Sequence, residues 1–392
     1  MNDESIVIID GARTPVGRYA GALAHVPAHE LGAVAVRAAA ARSGLQVSEV
    51  DEFVLGCVGQ VGPDAFIARR VALAAGAAVT STALAVNRLC GSGLQALAVA
   101  ADELRRGDSD VVVAGGVENM SAQPFLDYDA RRGDRLGHRR QVDGTLSLVT
   151  DPWGEYPMGR TAENVAERFG ISRDQQDAYA VESQARAQAA IAGGLIDDEI
   201  VSVRRTARGG DVEIERDEQP RATTLEALGS LRPAFAADGT VTAGNSSAIN
   251  DGAAAAVMMR TSSAMQRSVT PLGQLVAVAK SGIEPELMGC GPIAAINRVL
   301  QRTGLQRSDL HWIELNEAFA AQAIVVQREA GLDPERMNPL GGAIAWGHPV
   351  GATGAIIALR ALRGLRRRGG GFALVSLCIG GGQGIAAIFK VD

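Results

Sequence analysis

Aromatic residues are scarce in this chain, 4% of 392. Lysine is nearly missing: Lys280 and Lys390 stand among arginines. Net charge is −6, which argues against a general nucleic-acid binder, a class that normally carries a basic surface. No run of 18 or more apolar residues occurs, so no membrane span is expected. The start is acidic and runs directly into a short apolar stretch at 6–9. A secretory leader needs a basic start and a longer apolar run, so a cytoplasmic location is expected. Four cysteines, Cys57, Cys90, Cys290 and Cys378, lie far apart without a CxxC pair. That spacing makes a zinc site an unfavoured reading, and the thiols are expected to be free. Hydrophobic residues are plentiful at 47%, many of them alanine, and glycine numbers 47. A sizeable core of small side chains, with close helix–sheet packing, follows.

Strand-like and helix-like segments alternate, the mark of an α/β protein. Residues 6–9, 111–113, 312–315 and 372–377 read as buried strands. Residues 31–41, 94–104, 294–302 and 355–365 read as helices. An internal repeat organises them: residues 43–56 align without a gap to residues 303–316, an offset of 260. A second pair follows in the same order. Cys90-Gly-Ser-Gly opens a helix whose following strand ends in Gly115-Gly116. Gly347-His348-Pro349 opens another, whose strand ends in Cys378-Ile-Gly-Gly. The offset puts Cys90 and His348 at nearly equivalent points, each expected at the head of a helix. Between about 121 and 242 the texture changes. A polar run at 131–140 suits a solvated loop or an oligomer contact, and Thr161 is placed to cap a helix with Glu163 and Glu167 in its first turns.

Four elements carry chemistry. Cys90 precedes an apolar helix, where unpaired N–H groups and the helix dipole lower a thiol pKa toward a nucleophilic thiolate; the alternative is a buried, inert cysteine. His348 sits in a glycine-crowded stretch, with Pro349 suited to the first helical position. An imidazole there suits proton transfer or oxyanion binding; the alternative, a turn histidine with a structural hydrogen bond, is disfavoured by the density of glycines. Cys378-Ile-Gly-Gly-Gly-Gln-Gly384 follows a strand but lacks the Lys-Ser/Thr of a phosphate loop. Asn316 ends another strand, where it holds a water or caps a turn.

Together with 12–17, 117–121 and 246–251, these motifs resemble the thiolase family, in the family's order, from about Ile6 to Lys390. The resemblance implies a duplicated five-layer α/β/α/β/α core. Its N-terminal half would span 1–268, with an inserted loop domain at about 121–242, and its C-terminal half 269–392. It implies a thiolytic or Claisen acyl transfer between acetyl-CoA or acyl-CoA and a 3-ketoacyl-CoA, within fatty acid metabolism such as β-oxidation. By the same resemblance Cys90 is the acylated nucleophile and His348 activates it. Cys378 is the acid/base for the second substrate, and Asn316 holds a water at one oxyanion site. The N–H groups of Cys90 and Gly380 form the other. Coenzyme A, a substrate and not a cofactor, would touch Ser247, Arg221, Phe235, Met158, Ala318 and Phe319. No metal or other cofactor is implied, and a homodimer or homotetramer is. Two departures stand out: Pro157 where short-chain members often have His, which puts strict acetoacetyl-CoA specificity in doubt, and Pro339 ahead of the His348 loop. The competing readings are a ketoacyl-synthase-like condensing enzyme and a non-catalytic acyl-CoA-binding protein.

Overall fold

The computed structural model describes residues 4–133, 136–207 and 210–392. The first three residues lie outside it, as do Asp134 and Arg135 of the polar run at 131–140. In chain order the main strands are β1 (Ile6–Arg13), β2 (Glu52–Gly56), β3 (Thr82–Val86), β4 (Val111–Asn119), β5 (Asn250–Arg260), β6 (Gly273–Gly282), β7 (Leu310–Leu315), β8 (Gly371–Ile379) and β9 (Gln383–Val391). The longer helices are α1 (Ala28–Arg42), α2 (Ile67–Ala75), α3 (Ser92–Arg106), α4 (Met158–Phe169), α5 (Arg173–Ala192), α6 (Gly291–Thr303), α7 (Ala320–Ala330) and α8 (Thr353–Arg367).

With the short strand Gly17–Arg18 beside β5, the nine strands form one ten-stranded sheet in the order β7-β8-β9-β6-β1-β5-β4-β2-β3. The order mirrors itself about the β1–β6 junction. Outward from it run β1, β5, β4, β2 on one side and β6, β9, β8, β7 on the other. The β2–β4 and β7–β8 pairs are both parallel, and the remaining matched pairs are antiparallel. β3 extends the first half in parallel with β2; in the second half a single parallel bridge, Ile313 to Met337, stands in its place. The repeat is reproduced in local chemistry. Gly44 and Gly304 both take positive φ, 71° and 72°, after α1 and α6. Each is followed by a 3₁₀ turn closed by a capping box, Gln46 with Glu49 and Gln306 with Asp309.

The core sits in layers. α1 and α2 cover the outer face of the first half, around Leu31, Val36, Phe53 and Val113. α6 and α7 cover the second, around Ile296, Val299, Ile313 and Leu374. α3 and α8 lie between, joining Leu94 and Leu97 to Leu362, Val54, Val112 and Val375. This is the five-layer arrangement, with its two half-sheets joined at β1–β6 (Ile6 to Leu275, Val7 to Gln274, Ile8 to Gly273).

β4 runs six residues beyond the expected end at 113, through Gly115 and Gly116. These glycines do not punctuate the strand. A Cβ on Gly115 would lie 2.0 Å from Ala254 O, and one on Gly116 2.0 Å from Gly351 O, so the missing side chains let neighbouring backbone close on both faces.

Between β4 and β5 the chain adds α4, α5 and a hairpin, Val203–Ala207 with Gly210–Ile214. Arg208 and Gly209 lie outside the described residues. Pro157, not Thr161, occupies the N-cap of α4; Thr161 lies inside and donates its hydroxyl to Met158 O at 2.6 Å. Glu163 is not a solvated dipole partner either: it is buried and accepts the N–H groups of Thr240 and Val241. The added segment is tied down by a buried ion network. Glu199 takes Arg13 at 2.8 Å and Arg360 at 3.2 Å, and Arg13 also takes Asp217 at 2.7 Å. Burial pushes the Glu199 carboxyl up, but the two guanidiniums outweigh it and hold it at about 2.

Candidate active site

Cys90 lies in a tight turn two residues ahead of α3. The Ser92 hydroxyl donates to Leu89 O at 2.6 Å and accepts the Arg88 N–H at 2.8 Å. Leu89 is held at φ 46°, a left-handed conformation that a branched residue adopts only when its surroundings impose it. The thiol is not depressed by the helix head as the sequence suggested. Burial raises it, and the backbone N–H groups of Gly380 and of Cys90 itself, aimed at the sulfur, pull it part of the way back. Two N–H donors converging on a thiol also suit an oxyanion on a carbon bonded to that sulfur.

His348 does not head a helix. It stands five residues before α8, and Pro349 opens a turn whose carbonyl accepts from Ala352 and Thr353. Helix to helix, α3 at 92 and α8 at 353 differ by 261, so the position matching Cys90 is Gly351, not His348. The His348 N–H donates to Asn250 Oδ1 at 2.8 Å. The Thr353 hydroxyl donates to Pro349 O at 2.9 Å and lies 2.7 Å from His348 Nδ1. It therefore accepts the Nδ1 proton, which leaves Nε2 bare, 3.5 Å from Asn316 Nδ2. Burial lowers the imidazole to about 4, so the ring is neutral near pH 7.

Asn316 follows β7. Its Oδ1 is buried without a partner among the described residues, as expected for an atom that meets a water or substrate. Cys378 is fully buried near the end of β8. Burial, and then the neighbouring Cys90, push its thiol well above the usual range. The glycine loop after β8 closes on Cys90: a Cβ on Gly380 would meet Leu89 Cδ1 at 3.3 Å and Met158 Cε at 3.4 Å.

Four of the expected coenzyme A contacts, Met158, Phe235, Ala318 and Phe319, pack around Cys378 with Ala162, Val241 and Met288. Ser247 donates its hydroxyl to Ala318 O at 3.1 Å. Arg221 is outside that cluster, held through its N–H to Gln184 on α5. The other side of the site is apolar as well, where Cys90 and Leu89 meet Val58, Met120, Leu148, Val149, Ile249 and Val350.

Sequence reasoning missed the residues that hold these groups in place. Asn250 and Thr353 anchor His348. Asn338, at φ 45°, donates to Leu315 O and to Glu317 Oε1. Glu317 also receives Tyr179 and Ser183 from α5. Asn250 and Glu317 lie inside motifs already singled out, at 246–251 and beside Asn316, so a signal existed without a role attached. Among the described residues no group of three or more His, Cys, Asp or Glu is placed to hold a metal ion.

A thiol under two N–H donors, a neutral imidazole with a bare nitrogen and a second buried thiol can together transfer an acyl group and move an α-proton. Known proteins match this chain in sequence and in fold. The models of the thiolase N-terminal and C-terminal domains match residues 6–262 and 269–391. The chain is 48% identical over 388 residues to the beta-ketothiolase BktB of Cupriavidus necator, covering 98% of each. It is 45% identical over 392 residues to an acetyl-CoA acetyltransferase of Pseudomonas aeruginosa, covering 99% of this chain and 100% of that one. In structure it superposes on the human mitochondrial 3-ketoacyl-CoA thiolase in complex with CoA with a TM-score of 0.95 at 39% identity, over 99% of this chain and 98% of that one.

Proposed function

This chain belongs to the thiolase family and is an enzyme of acyl transfer between acetyl-CoA or another acyl-CoA and a 3-ketoacyl-CoA; we propose that Cys90 carries the acyl group between its two half-reactions. The observation that carries this assignment is the packing of the glycine loop after Cys378 against the Cys90 turn, where a Cβ on Gly380 would meet Leu89 Cδ1 at 3.3 Å; the donors of this site are the N–H groups of Cys90 and Gly380. In the first half-reaction the Cys90 proton passes to His348 Nε2, and the thiolate adds to a carbonyl carbon. The oxyanion is met by those N–H groups, each donor contributing about 3–4 kcal/mol. In the cleavage direction the carbon–carbon bond of the 3-ketoacyl-CoA then breaks. The departing acetyl-CoA enolate takes its proton from Cys378. Burial keeps that thiol protonated at rest, which suits it to act first as an acid. The resulting Cys378 thiolate deprotonates incoming coenzyme A, whose sulfur takes the acyl group from Cys90. Condensation is the reverse sequence. Asn316, with a water and His348, stabilises the enolate oxygen.

Met158, Phe235, Ala318 and Phe319 form the apolar wall along the pantetheine arm, Ser247 meets an amide of that arm, and Arg221 lies against the adenine. The enzyme uses coenzyme A as a substrate and no cofactor besides it. Two copies pair through β3, whose outer edge is unpaired among the described residues and whose neighbourhood exposes Val79 and Leu84, a surface that folded proteins normally cover. A second association, giving a tetramer, uses the segment exposing Phe125, Tyr128 and Leu136. No helix among the described residues is long and apolar enough to cross a membrane. We place the enzyme in the cytoplasm, in fatty acid metabolism; the similarity to a 3-ketoacyl-CoA thiolase supports that role.

Thiolysis of a 3-ketoacyl-CoA ladder, from acetoacetyl to long chains, tests the assignment. Consumption is expected at one or more lengths in the native enzyme, with no consumption and no acyl adduct by intact mass in Cys90→Ser. Normal turnover in that variant defeats the proposal. The chain length preferred also shows whether Pro157 relaxes the site beyond acetoacetyl-CoA.

A further inference from the structure

The motif at 117–121 has so far carried no role. Its Glu118 is fully buried at the end of β4, and no cation pairs with it among the described residues. Its carboxylate is nonetheless occupied on both oxygens. Oε2 accepts the N–H of Val58 at 2.9 Å and of Gly351 at 3.0 Å. Oε1 accepts the N–H of Gly59 at 2.9 Å and faces the Cys57 thiol at 3.7 Å. Val58 and Gly59 belong to the half that carries Cys90, and Val58 packs in the Cys90 cluster. Gly351 belongs to the loop that carries His348.

The surroundings make this a junction between main chains. A Cβ on Gly351 would meet Glu118 Oε2 at 2.6 Å, and one on Gly56 would meet Ser92 C at 2.6 Å and Gly351 O at 2.8 Å. A Cβ on Gly354 would meet Leu94 N at 2.3 Å. The head of α3 and the His348 loop thus touch backbone to backbone, and beside that contact Glu118 is the charged side chain that joins the segment after β2, Cys57–Gly59, to the His348 loop. Three N–H donors facing its two oxygens favour the ionised form. A protonated carboxyl would place an O–H against donors.

The geometry points to Glu118 as a positioning residue for acyl transfer: its carboxylate fastens the His348 loop to the half that carries Cys90. The inference rests on the assignment of Cys90 and His348 proposed above. A carboxylate suits the task because each oxygen accepts more than one N–H, which a neutral side chain of the same shape cannot match at both ends. Its charge raises the Cys57 thiol that faces it from the end of β2, after burial, and adds the smallest part of the upward shift of Cys90, whose main cause is burial. Burial in turn brings the carboxyl itself up to about 7 against the pull of its three N–H donors.

Glu118→Gln in the full chain separates this role from a merely structural one. The amide must turn its NH₂ toward either Gly59 or the Val58–Gly351 pair, so at least one N–H loses its acceptor. Stopped-flow acylation of Cys90 by an acyl-CoA is expected to slow roughly 10- to 100-fold, with KM within about twofold. The pH midpoint of Cys90 alkylation by iodoacetamide is expected to fall, since a negative charge has been removed. Lower melting temperature with acylation at the native rate and an unmoved alkylation midpoint overturns the inference. Should Glu118→Gln not fold, Gly351→Ala attacks the same contact from the other loop and is expected to slow acylation likewise; a native rate there overturns it. Cys57→Ala removes only the longest contact and is expected to leave the rate within about twofold. Absence of any acyl adduct on Cys90 in the native enzyme would defeat the Cys90 assignment instead, which keeps the two failures distinguishable.

Discussion

The two halves of the sheet are built alike and equipped differently. Both run through the same strand order, the same left-handed glycine and the same capping box. Yet the first half brings one reactive side chain to the junction, Cys90, and the second brings Asn316, His348 and Cys378. Where β3 closes the first half, the second has a single bridge at Met337 followed by the Asn338-held loop leading to His348. Even the inner face differs: counting by the repeat, Val54 of β2 corresponds to Glu314 of β7, and both are buried. Scaffold symmetry here brings the heads of α3 and α8 together, and the chemistry diverges in the turns that precede them and at the ends of β7 and β8.

That division is open to direct test. If the halves serve successive steps, Cys378→Ala abolishes turnover by at least about 10³-fold while acyl-Cys90 still forms, as read by intact mass after mixing with acyl-CoA. Loss of acylation in that variant would merge the two roles and end the comparison. Asn316→Ala, which removes an enolate donor from the second half alone, is expected to lower kcat by about 10²-fold and leave Cys90 alkylation at its native rate; slowed alkylation would place Asn316 in the first step. The smallest effect concerns the Val54–Glu314 difference. Burial pushes the Glu314 carboxyl up to about 8, against the opposing pull of Arg360. A carboxyl raised in the folded state binds a proton that the unfolded chain releases above about 4.5, so this group lowers stability as pH rises from there to 8. Glu314→Gln keeps an acceptor for the Trp312 indole N–H, now 2.7 Å from Glu314 Oε1. It is expected to be more stable than the native protein by about 1–3 kcal/mol at pH 9 and nearly equal at pH 5. Urea denaturation at both values measures this, and a gain independent of pH would show that ionisation is not the cause.

Much of this was visible in the sequence because hydrophobic period and repetition report on layers. The four strands and four helices read from the pattern all exist, each longer than read, by six residues for β4 and by two to four for the others. Their ends escaped notice where a local rule met a tertiary demand. Gly115 and Gly116 look like a stop and instead admit neighbouring backbone. Thr161 looks like a cap, but Pro157 already occupies that place. His348 next to Pro349 looks like a helix start, yet the chain makes one more turn before α8. Cys90 was found from its helix, while the sign of its pKa shift was misjudged because burial outweighs the donors around it. Asn250 and Glu118 could not be assigned from spacing, since each acts on a loop far away in sequence, 98 residues separating Asn250 from His348 and 233 separating Glu118 from Gly351; Thr353 lies only five residues from His348, inside the motif already singled out, and lacked only a role.

The place of β1 has a consequence for the nascent chain. This apolar strand ends up at the centre of the sheet, yet its only neighbours there among the described residues are β5 and β6, at 250–260 and 273–282. A ribosome adding about 5–20 residues per second needs roughly 10–50 s to deliver them. For that interval β1 is a sticky strand with both edges open, so the stretch of synthesis most in need of a chaperone is the one that separates β1 from its partners.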